Sequence, residues 1–392
     1  MRIGLIAPVF LPLISGASFY CYELARALAA LGHEVHVFTP KDGQADAGYT
    51  LHPILKCQLP DDIEPLLNHD MDIWHSLYFV YAPLALHTDK PVFITVHGDD
   101  AFSFFVRYRL PLRRGLTQTL LWRLPPTLQA TINQWLNRIE RIYDQGLANR
   151  ALAKIRQIVT VSSFTQARVE NGYSHASDHI TVIPPGIAPM YFDLPLTAAK
   201  HRPGPFKLLT VTRLDDGYRI KNVHGVIAAL GLLKQDYDFH YTIISGTVLG
   251  NYRSELEQQV KDLELQDRVT FTGRLSDAEL VSQYQDSDLF VLASYAEPGN
   301  FEGFGIVFLE ANASGVPVLT TRSGGMADYV IDGENGLYAD DPSAEAISRA
   351  LRRFFDGDVS FNPAILRGFA EPYRWHNIAA RMLAMYQTHC QT

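Results

Sequence analysis

Cysteine is scarce in this chain, and its three copies, Cys21, Cys57 and Cys390, share no CxxC-like spacing. A paired disulfide framework is therefore excluded, no histidine and cysteine cluster suggests zinc, and the sparse thiols suit a reducing cytoplasm. No run of roughly 18 apolar residues occurs, so no transmembrane helix is expected. Neither a low-complexity segment nor an internal repeat interrupts the text, which removes solenoid architectures. Net positive charge is missing as well: the chain carries −8, which argues against nucleic acid as the main partner. The opening Met1 to Leu13 lacks the small-residue cleavage site of a secretory signal, and Pro8 and Pro12 break its apolar run; Ile3 to Phe10 reads instead as a buried strand.

What is present is a long, ordinary globular text. At 392 residues the chain exceeds what one hydrophobic core usually organises, so two domains are expected. The start reads strand, Ser15-Gly16-Ala17, helix Phe19 to Leu31, strand His33 to Thr39, with Gly32 as the helix stop. Further strands are expected at 73–76, 92–96, 158–162 and 180–183, the second of these delivering His97-Gly98 at its carboxyl end. The proline-rich 194–206 reads as a linker. After it come strands at 207–212, 241–245, 269–272, 289–293 and 317–321, separated by helical patterns. The expected fold class is therefore α/β, a doubly wound parallel sheet twice over, with domains 1–193 and 207–375 and a closing helix at about 376–392 as the candidate to pack back on the first. Two such halves facing one another would line a cleft with their carboxyl-end loops.

Charge is unevenly spread. Between Ala101 and Thr160 stand ten Lys or Arg residues against Glu140 and Asp144. Within this basic segment, 101–156, the residues Leu128, Ile132, Trp135, Leu136, Ile139 and Ile142 recur at helical spacing. The segment reads either as a solvated cationic face over a core-packed stripe or as a surface for an anionic acceptor or membrane.

The most informative text is Glu302-Gly303-Phe304-Gly305-Ile306-Val307-Phe308-Leu309-Glu310, where a strand feeds a loop and the loop feeds a helix. Glycines let backbone approach a ligand closely, and the first N–H groups of a helix are unpaired donors at its positive end, so an anionic diphosphate belongs there. Glutamates eight residues apart lie about 80° apart around an ideal helix, so Glu302 and Glu310 act at different depths rather than from one face. One is suited to a sugar and the other to a ribose, because a carboxylate can accept hydrogen bonds from both hydroxyls of a diol.

This stretch resembles the E-x7-E motif of the retaining glycosyltransferases of family 4. The phrases Ala313-Ser314-Gly315-Val316-Pro317, Ser323-Gly324-Gly325 and Asp332-Gly333-Glu334-Asn335-Gly336 are similar to that family's text in the same order, as is Thr212-Arg213-Leu214 followed by Lys221-Asn222. The resemblance covers nearly the whole chain and implies the GT-B fold, two facing Rossmann-like domains with an interdomain cleft. It implies a hexose transferred with retention from a UDP- or GDP-linked nucleotide-sugar to a glycan, lipid-linked or small-molecule acceptor, without metal or other cofactor.

Carried over to this sequence, the resemblance gives catalytic roles to Glu302 and His97 at the sugar and to Arg213 and Lys221 at the donor diphosphate. Two fixed cations can stabilise charge on a leaving diphosphate. It gives donor contacts to Gly16, the amides of Phe304, Gly305, Ile306 and Val307, the ribose ligand Glu310, and Gly273-Arg274 beside the nucleobase. The chain departs from the family pattern with Ser15-Gly16 in place of two glycines, Asp328 in place of a glutamate, Pro184-Pro185-Gly186, and an insert at 295–301 whose Glu297 competes with Glu302 to lead the motif; spacing favours Glu302. Asp286-Ser287-Asp288 has the D-x-D form that holds divalent ions elsewhere, but it precedes a buried strand and no metal is expected. Rival readings are a sugar phosphorylase using pyridoxal phosphate or phosphate, a nucleotide-sugar epimerase, and a non-catalytic sugar-nucleotide sensor. The expected location is cytoplasmic, peripheral at the inner membrane face if the basic segment meets a bilayer.

Overall fold

A computed structural model describes residues 1–13, 15–40, 43–101, 128, 132, 144–174, 176, 179–193, 195–196, 204–246 and 249–390. The chain divides into two units, Met1–Ile183 with Ala379–Thr392, and Pro184–Ile378. All of the helical stripe from Leu128 to Ile142 except Leu128 and Ile132, and most of the basic segment 101–156, lie outside the described residues, as does most of the expected linker 194–206.

The first unit is built on strands β1 (Arg2–Ile6), β2 (Glu34–Phe38), β3 (Thr50–His52), β4 (Ile73–Ser76), β5 (Val92–Val96), β6 (Gln157–Thr160) and β7 (Ile180–Val182). They form one parallel sheet in the order β3-β2-β1-β4-β5-β6-β7. Val92-Phe93-Ile94-Thr95-Val96 is buried at every position, as a central parallel strand covered on both faces must be. β1 stops at Ile6, short of the Phe10 expected, and Pro8 follows with no N–H to extend a ladder. β3 was not anticipated: three residues on the sheet edge leave no alternating pattern to detect.

Helix α1 (Gly16–Ala30) begins earlier than the expected Phe19. The Ser15 hydroxyl accepts from Ser18 N at 3.1 Å while Ser15 N donates to Ser18 Oγ at 2.8 Å, a reciprocal cap that satisfies two amide donors. Gly16 is thus the first helical residue and not part of an open loop. At the other end Gly32 takes φ 85°, the left-handed turn that stops the helix.

The second unit holds β8 (Phe206–Val211), β9 (Phe239–Ile244), β10 (Val269–Thr272), β11 (Leu289–Val291), β12 (Val318–Thr321) and β13 (Gly336–Ala339). Their parallel order β10-β9-β8-β11-β12-β13 reverses direction between β8 and β11. Helices α2 (Val223–Leu233), α3 (Asp277–Asp286) and α4 (Ile306–Ala313) belong to the crossovers. Leu230, Ile243, Leu256, Leu289 and Leu351 are among the side chains of a shared core with almost no exposure. β13 was missed because its first residue is glycine; a Cβ there would stand 2.6 Å from the Val318 carbonyl oxygen, so only glycine lets the strands pair so closely.

The second unit starts before residue 193. Ile187 bridges to Arg374, and a Cβ at Gly186 would meet the Trp375 indole at 2.4 Å, so the Pro184-Pro185-Gly186 segment is packed inside this unit. Helix α5 (Trp375–Cys390) begins here, and its residues from Ala379 onward count with the first unit. There the Tyr386 hydroxyl hydrogen-bonds Nδ1 of the fully buried His75, and His75 Nε2 pairs with Thr95 Oγ1 at 2.8 Å.

Candidate active site

In an open parallel sheet, ligands bind outside the carboxyl ends of the strands where the order reverses. In the second unit those ends are the loops after β8 and β11, and they carry Arg213, Lys221 and Glu302.

Lys221 closes a short 3₁₀ stretch, Asp216–Lys221, and Asn222 follows in the left-handed region at φ 56°. This uncommon conformation for a residue with a Cβ is held by the buried Asn222 side chain. Its Nδ2 donates to the carbonyls of Ala293 at 3.1 Å and Pro342 at 2.8 Å. The Lys221 ammonium donates to Glu302 Oε2, with the two side chains only 15% and 12% exposed. Water is therefore largely excluded from the pair, which strengthens its attraction relative to a surface ion pair.

Glu302 is also gripped through its main chain. Gly325 N donates to the Glu302 carbonyl at 2.9 Å, so the Ser323-Gly324-Gly325 phrase acts on the motif glutamate directly. Helix α4 opens at Gly305, which sits at φ 86° and ψ 69° with no side chain capping the helix. A Cβ at this position would lie 2.5 Å from the Phe308 ring, in a backbone region that already disfavours side chains. The opening N–H groups of α4 thus face no competing capping side chain and suit an anion. Ile306 and Val307 are half-buried there, while the buried Phe304 ring packs with buried Tyr329 and half-buried Tyr373 at ring distances of 6.2 Å and 6.1 Å.

Arg213 is fixed in place. Its Nε donates to Asp215 Oδ2 at 2.8 Å, Nη2 donates to the same oxygen, and Nη1 donates to the Tyr218 hydroxyl at 3.1 Å. The guanidinium carbon lies 4.4 Å from the Tyr218 ring centroid. Asp215 is itself anchored, its Oδ1 accepting from Leu249 N at 2.9 Å. A half-exposed guanidinium held this way is a pre-oriented cation rather than a mobile one.

Glu310 stands deeper on α4. The Tyr284 hydroxyl donates to its Oε2 at 2.6 Å, and Tyr191, packed against Tyr284, brings a second hydroxyl near enough to the carboxylate to stabilise its charge. Burial raises the Glu310 carboxyl above its usual range, and the two hydroxyls pull it back. Gly273 and Arg274 lie exposed at the end of β10, with Arg274 packed beside Gly246.

Three acids flagged in the sequence stand elsewhere. Lys207 Nζ donates to Asp286 Oδ2 at 2.6 Å and Lys207 N to Asp288 Oδ2 at 2.8 Å, so the D-x-D carboxylates anchor the start of β8. Glu297 sits in an exposed turn closed by backbone bonds with Asn300. Spatially, then, Glu302 and not Glu297 meets Lys221.

In the first unit His97 follows β5. Its Nε2 lies 2.9 Å from the Leu77 carbonyl oxygen, which can only accept, so Nε2 carries the proton and Nδ1 presents a lone pair. Burial depresses the imidazole to about 4, keeping it neutral. Asp100 Oδ1 accepts from the backbone N–H groups of His97 at 2.8 Å and Gly98 at 3.0 Å, fixing the turn. Gly16 occupies the first turn of α1 in this unit.

Several supporting residues were given no role of their own by sequence reasoning: Asp215, Tyr218, Asn222, Tyr191, Tyr284 and Asp100. Asn222 carried a signal, standing beside Lys221 with Gly225 leaving its side chain room. The tyrosines carried none, since they reach Glu310 from distant text.

Known proteins match along both halves. The family described as Glycosyltransferase Family 4 matches residues 14–190 and that described as Glycosyl transferases group 1 matches residues 197–363. The chain is 26% identical to the D-inositol 3-phosphate glycosyltransferase of Arthrobacter sp. (strain FB24), over 95% of this chain and 89% of that one. Among solved structures it is similar to a sucrose-phosphate synthase from Thermosynechococcus elongatus, with TM-score 0.72 and 21% identity over 99% and 98% of the two chains. The Anabaena protein Alr3699/HepE, solved with UDP and glucose, aligns with TM-score 0.69 and 17% identity over 99% of each chain.

Proposed function

Because the chain belongs to the family-4 glycosyltransferases and has the GT-B fold, we propose that it moves a hexose, with retention, from a UDP- or GDP-linked nucleotide-sugar to an acceptor hydroxyl. The observation that carries this reading is the Lys221–Glu302 ion pair beside the uncapped start of α4. A carboxylate for the sugar, a cation for the phosphate and uncapped amide donors for the anion meet at the start of one helix.

In this reading the bond between the anomeric carbon and the donor diphosphate oxygen breaks, and the acceptor oxygen bonds to the same face. The acceptor proton passes to the departing diphosphate. Lys221, Arg213 and the first amides of α4 stabilise the charge that builds there, each such group being worth roughly 3 kcal/mol in a water-poor site. Glu302 orients the sugar, and Glu310 the ribose. Gly273 and Arg274 border the base, and Gly16 adds an amide to the phosphate. His97, neutral with a bare Nδ1, is an acceptor for a sugar hydroxyl and cannot serve as a general acid.

No cofactor beyond the co-substrate donor enters this scheme. The relative named for D-inositol 3-phosphate supports a hydroxylated small molecule as the acceptor class to try first; glycan and lipid-linked acceptors follow. A peripheral, anionic-membrane location is proposed for the basic segment 101–156 alone; among the described residues no helix is long and apolar enough to cross a membrane.

The test is a panel of UDP-, GDP- and ADP-hexoses incubated with acceptor, reading released nucleotide and the product's anomeric configuration. Acceptor-dependent release with the donor's configuration retained is the expected result. An inverted product would sink same-face transfer. Donor isomerisation without release would mark an epimerase.

A further inference from the structure

We propose that Tyr191 and Tyr284 are positioning residues that aim the Glu310 carboxylate at the two hydroxyls of the donor ribose. The proposal rests on reading Glu310 as the ribose ligand and adds what holds that ligand in place.

The two hydroxyls reach Glu310 from separate elements. Tyr284 is on α3, and Tyr191 is in the short helical turn Met190–Asp193. Both rings are immobilised by packing: Tyr284 is 0% and Tyr191 3% exposed, and their centroids stand 5.8 Å apart at 80°. Tyr284 also packs on Phe290 at 5.7 Å, and Phe290 meets Phe308, on Glu310's own helix, at 5.7 Å. The carboxylate is therefore framed by rigid donors on the same core that carries its backbone.

Stoichiometry supports the assignment. An ionised carboxylate offers about four lone-pair positions, and a tyrosine hydroxyl donates one proton. Two tyrosines fill at most half of that capacity and leave at least two acceptor positions, the number that a vicinal diol needs. Burial next to Asp277 would otherwise favour the neutral acid, which would lose acceptor capacity; the two hydroxyl donors oppose that by stabilising the charged form.

The experiment measures nucleoside diphosphate binding to the full chain by calorimetry, using UDP, GDP and ADP and, for the tightest of them, its 2′,3′-dideoxy counterpart. The ratio of the two affinities reports diol recognition and is insensitive to general loosening. Glu310→Ala should bring the ratio close to one. The Tyr191→Phe/Tyr284→Phe double variant should lower it about tenfold, as expected for losing hydrogen bonds to a charged group, while affinity for the dideoxy compound holds. Donor KM should rise with kcat at saturation nearly unchanged. If Glu310→Ala collapses the ratio and the double variant leaves it at the native value, the tyrosines are structural and the proposal fails. If Glu310→Ala itself leaves the ratio intact, the ribose reading fails and takes the proposal with it. Should the double variant not fold, each single Tyr→Phe change is read by the same ratio.

Discussion

Gly324, at φ 79°, leaves only 2.5 Å between the Glu302 carbonyl oxygen and the point where its own Cβ would stand. The next residue, Gly325, donates its N–H to that same carbonyl at 2.9 Å. Two glycines more than twenty residues away therefore set the position of the motif glutamate.

Gly324→Ala should consequently act on catalysis as well as stability. The left-handed backbone costs an alanine about 1–2 kcal/mol, and the contact with the carbonyl pushes Glu302 away from Lys221. Turnover should fall at least about tenfold, since a displacement near 1 Å is enough for larger losses. Parallel measurement of kcat and melting temperature checks this; native values of both would show that the loop does not control Glu302.

The Lys221–Glu302 pair makes a second prediction with an internal control. Lys221→Met leaves a mostly buried carboxylate without its partner and should cost about 1–3 kcal/mol of stability. Glu302→Gln should keep the fold and reduce turnover about a hundredfold or more. Combining the two removes both charges, so stability should recover relative to Lys221→Met while activity stays low. Denaturant melts and initial rates on the three variants decide it, and recovered activity in the double variant would move the chemistry elsewhere.

The candidate residues that were legible in the sequence are those encoded locally. Gly305 before α4, Lys221 beside Asn222, and the strand ends that carry Arg213 and His97 each follow from a short run of residues whose spacing fixes a turn or a helix start. Among the described residues, strand patterns located eleven of thirteen strands for the same reason, each being a short apolar run bounded by turn residues. The missed β3 and β13 were short or began with glycine, so their pairing depends on neighbours, not on pattern. The supporting groups were illegible because they are tertiary. Tyr191 and Tyr284 stand far from Glu310 in the chain, and nothing in their flanking residues marks a carboxylate partner.

Gly186 offers a test of packing alone. With the Trp375 indole 2.4 Å from a built Cβ, Gly186→Ala must displace a large buried ring that starts α5. A loss of about 1–3 kcal/mol is expected from such overpacking. Unfolding midpoints measure it, and Trp375→Leu in the same background should restore part of the loss by opening the space. An unchanged midpoint for Gly186→Ala would mean that the segment after Ile183 is not packed as described.

Acid sensitivity follows from the histidines buried in the first unit. His75 is fully buried, and desolvation, aided by His97, lowers its imidazole from 6.5 to about 3. Above pH 6.5 the folded and unfolded chains both hold it neutral, so it contributes no pH dependence. As pH falls below 6.5 the unfolded chain takes up the proton first, and stability declines by about 1.4 kcal/mol per pH unit until the folded value is reached. His97, lowered to about 4, acts in the same direction over a shorter range. Asp100 opposes them: burial pushes its carboxyl from 3.8 up to about 6, so between those values the native chain is the better proton acceptor and gains stability as pH falls. A single acid melt would blur these contributions, whereas the difference between the native chain and His75→Asn cancels the two that they share. That difference should favour the native chain at pH 7.5, where Asn loses part of the bonding to Tyr386 and Thr95, and should shrink steadily between pH 6 and pH 4.5 as the native histidine becomes a liability. Melting temperatures of both chains across that range test it, and parallel curves would mean that His75 is protonated as easily in the folded chain as in the unfolded one.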